Sequence, residues 1–238
     1  MTSGGAFPAT RWTLILAAGE SGGSAADEAL GELCRAYWFP VYAFIRRLGN
    51  SADEAQDLTQ EFFARFLERR HFTSADPARG RFRSFLLTSV KHFLMDEADR
   101  RNAEKRGGRA VLVSLDLRDG ESCYEREFAD KDTPETLFER TWARTLIARV
   151  NENLRSACAR EGRADQFDQL RQFLPGSDPG SYAEVARDLG ASEGALKVAV
   201  HRMRRRYREM FRMEIANLVS RPELVDDEVR YLLQVLRG

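Results

Sequence analysis

The stretch "SYAEVARDLGASEGALKVAVHRMRRRYREMF", residues 181–211, restricts the fold more than any other part of the chain. Ser181 and Glu184 have the Ser-x-x-Glu spacing of a capping box, which predicts a helix opening at Tyr182. That helix is short and closes at Gly190, because glycine adopts the left-handed conformation that ends a helix. Ser192 is placed to cap a second helix. A short helix, a turn of three or four residues containing glycine, and another helix is helix-turn-helix spacing. In the second helix Leu196, Val200, Met203 and Tyr207 recur at i, i+4, i+7 and i+11 and predict a buried seam.

Positive charge lies beside that seam. Lys197, His201, Arg204 and Arg208 follow a neighbouring stripe with Glu193 at its start, and Arg202, Arg205, Arg206 and Arg212 widen it. Such a stripe next to a short scaffold helix suits docking into a DNA major groove. Base readout belongs to the N-terminal residues of a recognition helix, here Glu193, Lys197, Val198 and His201. Arg202, Arg204, Arg205 and Arg208 suit backbone phosphates. A solvated arginine-rich helix, or one paired with an acidic segment of the same chain, is the simpler alternative.

Composition matters here because it conceals the charge pattern. The chain has 37 basic and 37 acidic residues and no net charge. Yet residues 79–109 hold nine bases against four acids, and residues 116–139 hold nine acids against three bases. The blocks predict two basic surfaces for anionic partners, joined by an acidic linker. The longest apolar run, "YWFPVYAFI", contains Pro40 and is too short to span a membrane. The first residues lack the apolar core of a secretory signal. The cysteines, at 34, 123 and 158, are odd in number and far apart, and the histidines at 71, 92 and 201 do not join them. Neither a disulfide framework nor a metal site is expected, and no cofactor motif occurs, which fits a reducing cytoplasm.

The rest of the chain also reads as helix. Leu30, Leu33, Tyr37, Val41, Phe44, Ile45 and Leu48 keep helical spacing, with Pro40 expected to kink the stretch or open a second helix, and Gly49 to stop it. "SADE", residues 51–54, is a capping box opening a helix with Ala55, Leu58, Phe62 and Phe66 on one side and Asp53, Asp57, Gln60 and Glu61 on another. "HFTSADPARGRFRS" reads as a loop, followed by a helix with Phe85, Leu86, Val90, Phe93 and Leu94 inward. A long helix starts at Pro134 and carries Leu137, Trp142, Leu146, Ile147, Val150 and Leu154. "DQFDQLRQFL" predicts a shorter one. "AVLVSLDL" has an extended character, and Leu224, Val225, Val229, Leu232, Leu233 and Leu236 predict an amphipathic helix in the tail.

Two of these stretches resemble one family. "SADEAQDLTQEFFARFLE" is similar to the second-region helix of bacterial RNA polymerase sigma factors, and "SYAEVARDLGASEGALKVAVHRMRRRYREMF" to their fourth region. Their order, without a recognisable third region, resembles the extracytoplasmic-function group. The resemblance implies an all-α fold of two helical domains joined by a flexible acidic linker. Its expected parts are a disordered stretch at 1–9, region 2 at 10–105, a linker at 106–133, region 4 at 134–212 and a helical extension at 213–238.

It also implies roles. Asp53, Asp57, Gln60 and Glu61 would dock on the beta-prime clamp helices of core polymerase. Arg79, Arg81, Arg83 and Lys91 would meet phosphates of the opened minus-ten strand, where a base is flipped from the duplex, and Phe82 would contact a base. Arg100 and Arg101 would hold duplex phosphates, and Phe85 and Phe93 would be core. The fourth region would read the minus-thirty-five element and touch the beta flap. The sequence departs from the family at Gln56, at His92, Asp96 and Asp99, and at Val198 and Ala199. Val198 suits a thymine methyl. The tail is expected to pack on the fourth-region domain, or to meet an anti-sigma protein or another regulator. A stand-alone helix-turn-helix regulator is the alternative function. A metal hydrolase finds no supporting motif.

Overall fold

The computed structural model describes residues 24–68, 81–103, 121, 124, 132–175, 180–219 and 221–237. The fold is all-α: eight α-helices and no strand occur among the described residues. They are α1 (Ser24–Arg47), α2 (Ala52–Glu68), α3 (Phe82–Ala103), α4 (Pro134–Arg160), α5 (Ala164–Leu170), α6 (Tyr182–Asp188), α7 (Glu193–Ala216) and α8 (Val225–Arg237). Single 3-10 turns follow α5 (Arg171–Phe173) and precede α8 (Pro222–Leu224). None of the described helices is long and apolar enough to cross a membrane.

Local chemistry sets the helix ends. Ser51 and Glu54 form the expected capping box: the Ser51 amide donates to the Glu54 carboxylate at 2.9 Å, and the Glu54 amide donates to Ser51 Oγ at 3.3 Å. Thr133 accepts from the Thr136 amide ahead of Pro134. α1 runs unbroken through Pro40 rather than restarting there, and closes before Gly49. The expected capping box at Ser181 is not formed, since Ser181 makes no side-chain cap to α6. The other end of α6 is as expected. Gly190 has φ +60°, its amide donates to the Arg187 carbonyl, and the Ala191 amide reaches the Ala186 carbonyl.

The chain forms two compact units, Met1–Thr145 with Ala216–Gly238, and Leu146–Ile215. The division falls inside α4, so residues 134–145 lie in the first unit, whereas the resemblance grouped them with 146–212. In the first unit Tyr37, Val41, Phe44 and Ile45 of α1 share the core with Leu58, Phe62 and Phe66 of α2 and Leu86 and Val90 of α3. Tyr37 stacks on Trp142 of α4, Phe44 meets Phe138 edge-on, and Phe62 meets Phe93. Each aromatic ring buried this way contributes about 2 kcal/mol through removal from water. The expected position of the tail is corrected. α8 forms as the apolar spacing predicted, with Val225 and Leu232 buried, but it belongs to the first unit rather than to the unit that holds α6 and α7.

The second unit is centred on the seam of α7. Leu196, Val200, Met203 and Tyr207 are buried, as their spacing required, against Val150, Leu154 and Cys158 of α4 and Phe167 and Leu170 of α5. Phe173 and Leu174 complete this core, and Phe173 stacks on Tyr182 of α6 with centroids 4.5 Å apart.

Candidate nucleic-acid and partner interfaces

On α7 the charged stripe is presented to solvent. Glu193, Lys197, Val198, His201, Arg202, Arg204, Arg205 and Arg208 are all exposed. Their surroundings differ. Lys197 pairs with Glu193 at 2.6 Å, and the hydrogen bond raises the lysine pKa above its ordinary value. Arg204 Nε donates to the Phe173 carbonyl at 2.8 Å, tying the helix to the turn after α5. Arg206 clasps the Glu161 carboxylate with both terminal nitrogens, at 2.9 and 2.5 Å. Arg205 lies 3.7 Å from Glu209. His201, Arg202 and Arg208 have no hydrogen-bond or ion-pair partner among the described residues, so they are the side chains most open to an external anion.

The acidic face of α2 divides. Asp53 and Asp57 are exposed. Gln60 is 9% exposed and belongs to the interior, a correction to its expected place on a docking face. It lies three residues before the buried Phe63, on the same side of the helix, and so turns inward. Glu61 is half-buried and accepts from Arg65 at 2.5 Å and from Arg100 at 3.0 Å. Glu97 of α3, itself buried, forms ion pairs with the same two arginines at 2.6 and 2.7 Å. Arg100 is therefore engaged in a four-residue charge network inside this unit, rather than standing free for duplex phosphates.

On α3 two expected contacts are overturned. Phe82 is 5% exposed and packs edge-on against Tyr37 at 5.5 Å; it is a core ring, not a base-contacting one. Arg83 is 3% exposed. Its guanidinium donates to Glu139 of α4 at 2.6 Å and to Glu228 of α8, and lies over the Trp142 and Tyr231 rings at 4.6 and 4.7 Å. Burial penalises its charge, but the Glu139 and Glu228 carboxylates outweigh that and hold its pKa above the ordinary value. The helical register explains both. Phe82 and Arg83 lie four and three residues before Leu86, on the stripe that faces the core.

Arg81 stays at the surface but is held as well, its Nε 2.6 Å from Glu228 and its guanidinium 4.3 Å over the Tyr231 ring. Lys91 is exposed and paired with Glu135 at 2.7 Å. Arg79 and the Arg101 side chain lie outside the described residues, as does most of the acidic linker. The linker residue Glu121 is an exception: it accepts from Arg46 at 3.0 and 2.5 Å and from the Tyr42 hydroxyl, and its pKa is lowered chiefly by Arg46. Phe85 is half-buried beside Phe66. The outward face of α3 carries Thr88, Lys91, His92, Met95 and Asp96, with Met95 66% exposed.

Residues 33–104 match the family model of sigma-70 region 2. The core and charge network of α1, α2 and α3, with the buried Phe82 and Arg83, lie almost wholly within the matched residues. The match ends before α4 and does not extend to the α6–α7 segment. No curated protein and no solved structure matches the chain. Sequence reading missed the partners Glu139, Glu228 and Tyr231. The placement of Arg83 on the Leu86–Val90 stripe was the signal available for its burial.

Proposed function

We propose that the chain is a sigma factor of the extracytoplasmic-function kind. It works in the cytoplasm, binds core RNA polymerase, directs it to promoters and assists duplex melting, without catalysing a covalent step. The observation that carries this reading is the region 2 match over residues 33–104. The exposed basic stripe of α7 supports it, because a promoter-directing factor needs a second, duplex-reading surface.

In this reading Asp53 and Asp57 meet the beta-prime clamp helices, and Glu61 contributes through its outer edge. α6 and α7 act as region 4, with Lys197, Val198 and His201 toward bases of the minus-thirty-five element and Arg202, Arg205 and Arg208 on phosphates. The same unit touches the beta flap. Lys91, with Arg81 when released from its partner, serves the opened minus-ten strand. Control by an anti-sigma protein or another regulator fits this scheme.

Run-off transcription with core polymerase on a promoter library tests the assignment. Start sites that depend on the added protein are expected. If every transcript is the same without it, the assignment fails. Sequence-specific duplex binding by the protein alone, with no effect of polymerase, would point instead to a stand-alone regulator.

A further inference from the structure

The first unit contains an anion site that is filled by the chain itself. Arg81 and Arg83 flank one carboxylate, that of Glu228, and the Tyr231 ring lies under both guanidinium groups. With Glu139 the cluster holds two positive and two negative charges. Without α8 it would hold two positive charges and one negative. Two adjacent guanidinium groups can bind a phosphate; both stay in place when α8 leaves, whereas Tyr231 leaves with it. In this chain a carboxylate one turn from the ring takes the phosphate's place.

The element that supplies the carboxylate is a single short helix. α8 spans Val225–Arg237, and only Val225, Glu228 and Leu232 are buried. A helix of that length is marginal in water by itself, so α8 persists because it is docked. Its outer face is in solvent: Asp227 pairs with Arg230 there, and Leu233 is exposed.

We propose that α8 is an intramolecular cover of the region 2 arginine face, with Glu228 occupying a site that a single-strand phosphate takes when α8 departs. The proposal rests on the reading of region 2 as a surface for opened promoter DNA. In the closed state Arg81 is neutralised and Arg83 is sealed. In the open state Arg81 faces the strand with Arg83 behind it, and the surface gains one positive charge.

The test uses the full chain and a fluorescent single-stranded oligothymidylate. Glu228→Gln keeps the size of the side chain and removes its charge. It is expected to bind the oligonucleotide more tightly at low salt. The gain should shrink about threefold per added phosphate contact between roughly 50 and 200 mM salt, with the log–log slope steeper by about 0.7. In Glu228→Gln/Arg81→Ala the gain should vanish. Equal affinity and slope for wild type and Glu228→Gln would reduce α8 to a structural brace. Hydrogen exchange on the wild-type chain gives a check that needs no variant. The oligonucleotide should speed exchange of the α8 amides, and unchanged or slowed exchange overturns the proposal. Run-off transcription separates the two ideas: polymerase-dependent starts without these α8 effects sink the cover alone, whereas loss of all dependent starts sinks the sigma reading itself.

Discussion

Arg83 and Glu228, separated by 145 positions in sequence, form an ion pair in which both side chains are almost wholly removed from solvent. Removing one member of such a pair leaves the other buried and unmatched. Arg83→Met is therefore expected to cost about 3–5 kcal/mol in urea unfolding. Arg83→Met/Glu228→Gln should recover part of that loss, because the stranded carboxylate is gone. A single variant as stable as wild type would show that the pair contributes nothing net.

Asp57 is exposed on α2. Asp57→Arg should leave unfolding within about 0.5 kcal/mol of wild type. Binding to core polymerase, measured by gel filtration or fluorescence, should be lost. Retained binding would remove α2 from the docking surface.

Arg208 and Val198 separate affinity from specificity on α7. Arg208→Ala should weaken duplex binding about equally for all sequences and lower the salt slope by about 0.9. Val198→Ser should leave the slope alone and relax a preference for thymine at one position. A sequence-dependent effect at Arg208 would reverse these assignments.

Gly190 has φ +60°, and an added Cβ would meet no atom within 4 Å. The cost of Gly190→Ala is thus conformational, about 1–2 kcal/mol. Gly190→Asn should cost less, since asparagine tolerates the left-handed region. Calorimetric midpoints that rank the two the other way would contradict the cap.

The Tyr207 hydroxyl is buried with no hydrogen-bond partner among the described residues. Burial pushes its pKa up from 10.0 to about 12. Between those values the unfolded chain ionises while the folded one resists, so the unfolded state holds fewer protons and stability falls as pH rises. Tyr207→Phe removes this contribution and the stranded hydroxyl, and should be neutral or stabilising at pH 7 by about 1 kcal/mol. Unfolding midpoints at pH 9 and 11 should lie closer together for the variant. A larger gap than in wild type would refute the account.

The helical character of the fold was legible because period 3.6 dominates every long segment. The α7 seam, the Ser51 cap and the Gly190 turn all follow from local spacing. What spacing does not reveal is which distant segment meets a given face. "RGRFRS" reads as a basic loop until α8 brings Glu228 and Tyr231 to it, and the alternation of Phe82, Arg83 and Leu86 then explains why the arginine points inward. Gln60 failed for a related reason, as a polar residue on the side of α2 that carries the buried Phe63. The unit boundary inside α4 was hidden because the resemblance set a boundary at 134, where a helix starts, and a helix start need not be a domain start. On α7 the exposed stripe was readable, but the fixing of Arg204 by the Phe173 carbonyl was not, since the acceptor is a backbone atom from a turn.

The entry of α8 into the first unit has a consequence for biosynthesis. A nascent chain displays Arg83 well before the ribosome has made its carboxylate partner. At about 5–20 residues per second, the interval of 145 positions lasts on the order of ten seconds. Throughout it the guanidinium has Glu139 at most for company, and the face that α8 covers stands open to chaperones and to cellular polyanions.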